Sequence, residues 1–416
     1  MEAHATTAFV APGSWPPPGR SRREPLRRAV STGRPRWAAG GPPLALGRPT
    51  GRRWMPVVPT ASMPSPPPSP SSEVVAEADG VAAAPSVAGT VAAAAAAARS
   101  PLPDWLPPDA ADITDPYAVT LLRSQLTRVP VTVPDQAAPV ATAHVLMDGP
   151  ATADPTAPVV LLLHGFDSSC LEFRRLLPAL TATPGVGCVA AVCIYGWGFT
   201  AKPAGGDFSP KGKATHVAAY VDQVLPPGRP VVLLGASIGG ALAVEVALGS
   251  AAAVPPRLAG LVLLDAQIFV EKAASPAVVR AVPALAAAGA EVLRARWLRR
   301  TAGRLSYADA PTWATEEAMR IGRLHTLTPG WRAAAVAFIV GAGFAVRDRL
   351  PDVPVPALVV WGADDRIVEV AAAGRLRDEL PQCAGVVIVP DAGHCPHIEK
   401  AAAVAAAVGE FVRGLG

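Results

Sequence analysis

The feature that most constrains this chain is a short glycine-rich turn that follows a run of apolar residues. The run Val231-Val-Leu-Leu leads directly into Gly235-Ala-Ser237-Ile-Gly239. A serine with a small residue two positions away on each side is typical of a sharp strand-to-helix turn, because bulkier neighbours would clash there. Such a turn raises the serine Oγ above the sheet and directs the first N–H groups of the helix at it. The pattern predicts either a nucleophilic serine at position 237 or an ordinary glycine-rich turn, since the motif also occurs by chance.

Two later segments each place polar side chains directly after an apolar run. The first run ends in Asp364-Asp365, and the second ends in a turn that carries His394. The carboxyl ends of the strands meet along one edge of an open parallel sheet, so these side chains are expected to approach Ser237. A serine hydroxyl is a weak nucleophile near neutral pH, and His394 would take its proton during attack and return it to the leaving group. A carboxylate would fix the tautomer of the imidazole and stabilise its charged form.

These segments together resemble the α/β-hydrolase superfamily, in particular the cap-bearing alpha/beta hydrolase fold-1 group and its plastid-type plant and algal members. The resemblance covers roughly residues 129–416, and its order of Ser, Asp and His along the chain is the one this fold requires. Tyr195-Gly-Trp-Gly departs from the usual motif of its loop, which leaves the triad untouched. The motifs that carry the resemblance are Leu163-His-Gly-Phe166-Asp167, Tyr195-Gly-Trp-Gly-Phe199, Gly235-Ala-Ser-Ile-Gly239, Trp361-Gly-Ala-Asp-Asp365, Gly393-His394-Cys-Pro-His397 and Ile321-Gly-Arg-Leu-His325.

The resemblance assigns the remaining site residues. Asp365 matches the family's Gly-x-x-Asp pattern and is the expected triad acid, which leaves Asp364 as a solvated turn residue. Asp265 is a rival acid by analogy with some members, although aspartate at a strand end is also a common helix cap. The backbone N–H groups of Phe166 and Ile238 are expected to form the oxyanion hole. Gly235 and Gly239 complete the sharp turn around Ser237, which in this family is called the nucleophile elbow.

The activity implied by the resemblance is that of a serine hydrolase cleaving a carboxylic ester through an acyl-enzyme, with no cofactor and no metal. A bulky apolar ester is one candidate substrate. The same triad could also serve a C–C bond hydrolase, a thioesterase or a perhydrolase. A hydrolase-fold receptor that binds a small ligand without turning it over is the alternative from a different class, because fold alone does not define function.

The apolar runs predict an α/β architecture, a mostly parallel eight-stranded sheet flanked by helices. After the sixth strand the alternation stops for about ninety residues and helix formers dominate. We therefore expect a hydrolase core at 101–265 and 354–416, interrupted by a helical cap at 266–353. This insertion contains several aromatic residues, some of which are expected to form an apolar roof over the serine while the others belong to the ordinary core. They are Phe269, Trp297, Trp313, Trp331, Phe338 and Phe344.

The first hundred residues differ in composition from the rest. Residues 1–60 hold ten arginines, no lysine and two acidic residues, a charge of +8 that leaves −4 for the remainder of a chain whose net charge is +4. This composition is typical of an organelle transit peptide, and residues 1–100 are predicted to be that peptide followed by a disordered low-complexity linker. A plastid is the expected destination, with the mitochondrion as the alternative. A basic tail that binds nucleic acid or a membrane is the competing interpretation.

The expected partner is a small-molecule substrate. The mildly acidic body argues against nucleic acid, and no apolar window is long enough to predict a transmembrane segment. The five cysteines have an odd count and no metal-like spacing, which favours free thiols in a reducing compartment. The oligomeric state is left open by the sequence.

Overall fold

An eight-stranded sheet forms the centre of the computed structural model, which describes residues 87–134, 136–249, 257–269, 283–341 and 343–415. Its strand order is β1-β2-β4-β3-β5-β6-β7-β8. The first two strands pair antiparallel, as do β2 and β4, whereas all pairs from β4 to β8 are parallel. The strands are β1 Thr127–Val131, β2 Val140–Asp148, β3 Val159–Leu163, β4 Cys188–Val192, β5 Val231–Ala236, β6 Leu258–Leu264, β7 Ala357–Gly362 and β8 Cys383–Val389.

Helices cover both faces of this sheet. The α-helices are α1 Val87–Ala97, α2 Pro116–Thr120, α3 Leu176–Leu180, α4 Pro210–Gln223, α5 Ile238–Ala247, α6 Pro283–Arg294, α7 Arg296–Ser306, α8 Ala310–Trp313, α9 Glu316–Leu324, α10 Trp331–Val340, α11 Ala371–Glu379, α12 Pro396–Glu399 and α13 Ala401–Arg413. Short 3-10 turns lie at Pro108–Asp112, Cys170–Phe173, His325–Leu327 and Arg347–Asp352, and a π-helical turn lies at Leu121–Gln125. The predicted fold class, a mostly parallel eight-stranded sheet flanked by helices, is confirmed.

The central strands are apolar throughout because both of their faces are covered. Every residue of β3, β4, β5 and β7 is buried. Successive side chains point to opposite faces, so Leu161 and Leu163 join one hydrophobic core while Val160 and Leu162 join the other. A strand buried on both faces needs no polar alternation, which explains the continuous Val and Leu runs of the sequence.

Helices α6 to α10 lie between β6 and β7 and are called here the helical insertion. Its first two helices, α6 and α7, are separated at Ala295, which adopts an extended conformation with ψ 132° and interrupts the helical path. The assignment of the insertion as a cap that selects substrate stays a prediction.

The alanine-rich segment before the core differs from the expected disordered linker. Residues 87–97 form helix α1, in which Ala94 and Ala97 are buried. Alanine has the highest intrinsic helix propensity, so an alanine run favours a helix even without large side chains. The arginine-rich leader and the residues up to 86 lie outside the described part of the chain.

Among the described residues, no helix is both long and apolar enough to cross a bilayer.

Candidate active site

The turn after β5 places Ser237 in a strained backbone conformation. Ser237 has φ 53° and ψ −121°, in a region that side chains other than glycine rarely adopt. A Cβ on Gly235 would lie 2.2 Å from the carbonyl oxygen of Gly239, and a Cβ on Gly239 would lie 2.1 Å from that of Leu163. Both contacts are with backbone that cannot move aside. The structure thus requires glycine at the two positions that the sequence motif marked.

The predicted acid and histidine are in direct contact. Asp365 Oδ2 lies 2.8 Å from His394 Nδ1. Asp365 Oδ1 accepts the backbone N–H groups of Ile367 and Val368 at 2.8 and 3.1 Å, so its carboxylate is held from both sides. The side chain of Asp365 is fully buried and that of His394 is 10% exposed. Asp364, by contrast, is exposed to solvent, as the sequence predicted.

Asp265, which the resemblance offered as a rival acid, lies beside this pair. One oxygen each from Asp265 and Asp365 and one ring nitrogen of His394 lie within 4.8 Å of one another. Asp265 is 1% exposed, and its Oδ1 accepts the N–H of Gly362 at 2.9 Å. Burial, together with the neighbouring Asp365 carboxylate, raises the pKa of Asp265 well above its usual range. Both effects favour the protonated form of Asp265.

The serine turn also meets the loop after β3. A Cβ on Gly165 would lie 3.5 Å from the Cβ of Ser237, so the two turns face each other directly. The backbone N–H groups of Phe166 and Ile238 take part in no turn, cap or loop hydrogen bond among the described residues, and both are free to bind an oxyanion. Within the same part of the chain no hydrogen bond joins Ser237 Oγ to His394, an arrangement common before substrate binds.

His164 and Glu172 stabilise the loop after β3. The buried His164 accepts the N–H of Ile194 on Nε2 at 3.0 Å and bonds the carbonyl of Gly165 through Nδ1 at 2.9 Å. Burial lowers the pKa of His164 to about 4, which keeps its imidazole neutral near pH 7. Glu172 accepts the N–H of Gly165 and lies 3.3 Å from Nε2 of His397, three residues after His394. One carboxylate therefore connects the two loops of the candidate site.

Asp167 is the centre of a buried polar cluster that the sequence did not reveal. Its Oδ1 lies 3.0 Å from His325 Nε2 and accepts the indole N–H of Trp331 at 2.7 Å, while its Oδ2 pairs with Arg299. All three partners belong to the helical insertion. The sequence showed the motifs that contain Asp167 and His325 only as part of the family resemblance, and it assigned no role to either residue. Their shared role is to attach the insertion to the residue that follows Phe166.

Burial and neighbouring charges together shift the pKa values of Asp167 and His325. Burial would raise the pKa of Asp167, but the neighbouring His325 and Arg299 outweigh it and hold that pKa far below the usual range. Burial lowers the pKa of His325, so its imidazole is neutral near pH 7 and donates Nε2–H to the carboxylate. The side chains of Asp167 and Arg299 are only 4% and 16% exposed.

The aromatic side chains of the insertion fall into separate groups. Phe338 packs on Trp197 and on Phe166, with ring centroids 4.7 and 5.8 Å apart, and Phe344 packs on Phe338. These four rings are called here the aromatic wall. Phe166 itself is 40% exposed beside the serine turn. Trp331 is 1% exposed and bonded to Asp167, so it holds the insertion together instead of forming the predicted roof.

We expect Asp167→Asn to lower the free energy of unfolding by about 3 kcal/mol, because it leaves the largely buried Arg299 guanidinium without its anion. Asp378→Asn, which breaks an ion pair of two exposed side chains with Arg377, is the control and should change it by less than about 0.5 kcal/mol. Urea denaturation followed by circular dichroism measures both.

The pH dependence supplies a second test of the same cluster. A carboxyl whose pKa is depressed by folding contributes stability above its unfolded pKa of about 4 and loses it as the pH falls towards the folded value. The difference between the wild type and Asp167→Asn should thus be complete at neutral pH and shrink below about pH 4. A difference independent of pH would contradict the ion cluster.

Comparison with known proteins agrees with this geometry. Residues 160–407 match the Alpha/beta hydrolase family. The alpha/beta hydrolase domain-containing protein VTE7 of Arabidopsis thaliana is 30% identical over 317 residues, which cover 75% of this chain and 91% of that protein. The putative hydrolase LipZ of Mycobacterium tuberculosis is 26% identical over 257 residues, 60% of this chain and 86% of LipZ.

Solved structures show the same fold at low sequence identity. A thermophilic esterase from Thermogutta terrifontis has a TM-score of 0.56 and 23% identity, with 70% of this chain and 99% of the esterase covered. A meta-cleavage product hydrolase from Pseudomonas fluorescens has a TM-score of 0.53 and 19% identity, with 69% and 98% covered. The sheet, the serine turn and these matches lead to one conclusion: the chain belongs to the alpha/beta hydrolase family.

Proposed function

We propose that this hydrolase is a serine esterase that cleaves a carboxylic ester through an acyl-enzyme, with Ser237 as nucleophile, His394 as general base and acid, and Asp365 as the carboxylate that orients the histidine. The contact that carries the proposal is the 2.8 Å bond between Asp365 and His394, at the same edge of the sheet as the half-buried Ser237. A buried carboxylate on Nδ1 leaves Nε2 as the imidazole atom that can accept the serine proton.

The remaining groups would act on the charge that develops during attack. The unused N–H groups of Phe166 and Ile238 would stabilise the oxyanion of the tetrahedral intermediate. The leaving alcohol takes its proton from His394, and a water molecule then repeats the sequence to release the acid. None of these steps requires a metal or a cofactor. Asp365 in particular has both oxygens engaged by His394 and two backbone N–H groups, which supports the triad over a metal site.

The proposed substrate class follows from the aromatic wall. Phe166 presents apolar surface beside the serine turn, being 40% exposed, and it packs on the buried rings of Trp197 and Phe338. Apolar surface that excludes water stabilises an apolar ligand by roughly 25 cal/mol for each Å² covered, so bulky apolar acyl or alcohol groups should bind better than small ones. A plastid destination, predicted from residues outside the described part, stays a proposal; the VTE7 relative is from a plant.

Ser237→Ala tests the nucleophile. The variant should lose labelling by a fluorophosphonate probe, and its kcat for ester hydrolysis should fall by a factor on the order of 10⁶. Gel-based probe labelling and p-nitrophenyl ester assays measure the two effects. A wild-type protein that is inert to the probe and to every ester would instead favour a ligand receptor.

A matched pair of amide substitutions tests which carboxyl is the acid. Asp365→Asn should lower kcat by a factor on the order of 10⁴, because the amide cannot hold the imidazole in the required tautomer. Asp265→Asn should change kcat by less than about tenfold, since the amide oxygen can accept the Gly362 N–H and the amide group is neutral like the protonated acid. If the larger loss came from Asp265→Asn, the acid role would belong to that residue.

Phe166→Ala tests the substrate class. Phe166 is 40% exposed, and losing about 50 Å² of its apolar contact corresponds to about 1.3 kcal/mol, so kcat/KM for p-nitrophenyl decanoate should fall roughly tenfold more than for the acetate. Trp313→Ala is the control, because it removes another partly exposed aromatic side chain, one that stacks on Arg175 at 4.7 Å. Equal losses on both esters would show that Phe166 does not select the substrate.

A further inference from the structure

Helix α7 of the insertion exposes its large apolar side chains. None of its eleven residues is buried. Trp297 is 62% exposed and Leu305 is 47% exposed, and the two lie eight residues apart, on adjacent parts of one helical face. Exposed tryptophan is uncommon on a soluble surface that has no binding role.

A row of arginines lies beside these apolar groups. Arg296, Arg300 and Arg304 recur at every fourth residue, so they share one side of the helix, and all three are exposed. Arg296 and Arg300 both pair with the single carboxylate of Glu316. Within the described part of the chain Arg304 has no acidic partner, so the row keeps a net positive charge.

Helix α7 lies next to the candidate site. On its inner side Arg299 bonds Asp167, the residue after Phe166. At its carboxyl end the backbone of Ser306 and Ala308 packs on Gly393, where an added Cβ would meet them at 2.6 and 2.7 Å. Gly393 immediately precedes His394. The helix and the residue pair after it therefore contact both loops of the candidate site.

We propose that α7 docks the protein on an anionic lipid surface, with Trp297 and Leu305 at the headgroup level and Arg296, Arg300 and Arg304 against the lipid phosphates. Tryptophan favours the interface of a bilayer, and a basic amphipathic helix binds anionic lipid through apolar contact and charge together. The separated apolar groups and the incompletely paired cations fit a planar, charged surface better than a protein groove.

Docking in this way would turn the candidate site towards the lipid. An apolar ester dissolved in the membrane would then reach Ser237 without crossing water. Lipid binding itself depends on α7 alone, and only this consequence for substrate delivery rests on the proposed esterase function.

The test is co-sedimentation of the full chain with sucrose-loaded vesicles of phosphatidylglycerol and phosphatidylcholine, or of phosphatidylcholine alone. The double variant Trp297→Ser with Arg304→Glu should bind the anionic vesicles at least tenfold more weakly than the wild type, and the wild type should prefer them to the neutral ones. The arginine-rich leader is the same in both proteins, so the difference reports α7. An unchanged thermal midpoint shows that the variant folds.

A control variant replaces an exposed apolar residue and an exposed arginine elsewhere on the surface. Ile388→Ser with Arg377→Glu, on β8 and α11, should leave vesicle binding within about twofold of the wild type. Brominated lipid should quench fluorescence of the wild type more than that of Trp297→Phe, which places Trp297 in the bilayer. Equal binding by the α7 variant and the wild type, or the absence of this quenching difference, would overturn the proposal and leave α7 as a surface for a protein partner.

The same measurements on Ser237→Ala separate the two proposals. Vesicle binding that persists in this variant while the wild type hydrolyses no ester would remove the esterase proposal and keep α7 docking. Ester hydrolysis without α7-dependent binding would do the reverse.

Discussion

The close approach of three backbone segments at the end of β5 is the constraint on which the rest of the site depends. Gly239 packs against the carbonyl of Leu163 at a separation that admits no side chain, and this contact brings the serine turn against the loop after β3. The N–H of Ser237 donates to Leu264, and Gln267 donates back to the carbonyl of Ser237, so the end of β6 is joined as well. The strain at Ser237 is therefore held by three neighbouring strands and not by the turn itself.

A second layer of polar contacts links this edge to the helical insertion. Asp167 binds Arg299, His325 and Trp331, which come from α7, from the turn after α9 and from the first residue of α10. These partners are separated from Asp167 by more than 130 residues. The cluster ties the loop that carries Phe166 to the structure above it, so the geometry of the N–H donors and the placement of the insertion are coupled through one carboxylate.

Behind the histidine, Asp265 and Asp365 have identical side chains in different surroundings. Asp365 contacts the imidazole through Oδ2 and accepts two backbone N–H groups on Oδ1. Asp265 accepts only the N–H of Gly362 among the described backbone groups. Burial and the neighbouring Asp365 raise the pKa of Asp265 well above its usual range, which favours its protonated form.

The sequence by itself determined the strand pattern, the glycines at 235 and 239 and the order in which Ser237, Asp365 and His394 follow their strands. Each of these depends on local backbone sterics or on the burial of both faces of a strand, and both leave a short-range signal. It left Asp265 as a rival acid, and it could not reveal the partners of Asp167 or the break at Ala295. Only the tertiary structure decided these, because a buried polar contact between residues 158 positions apart, such as Asp167 and His325, has no periodicity or spacing that a single sequence can display.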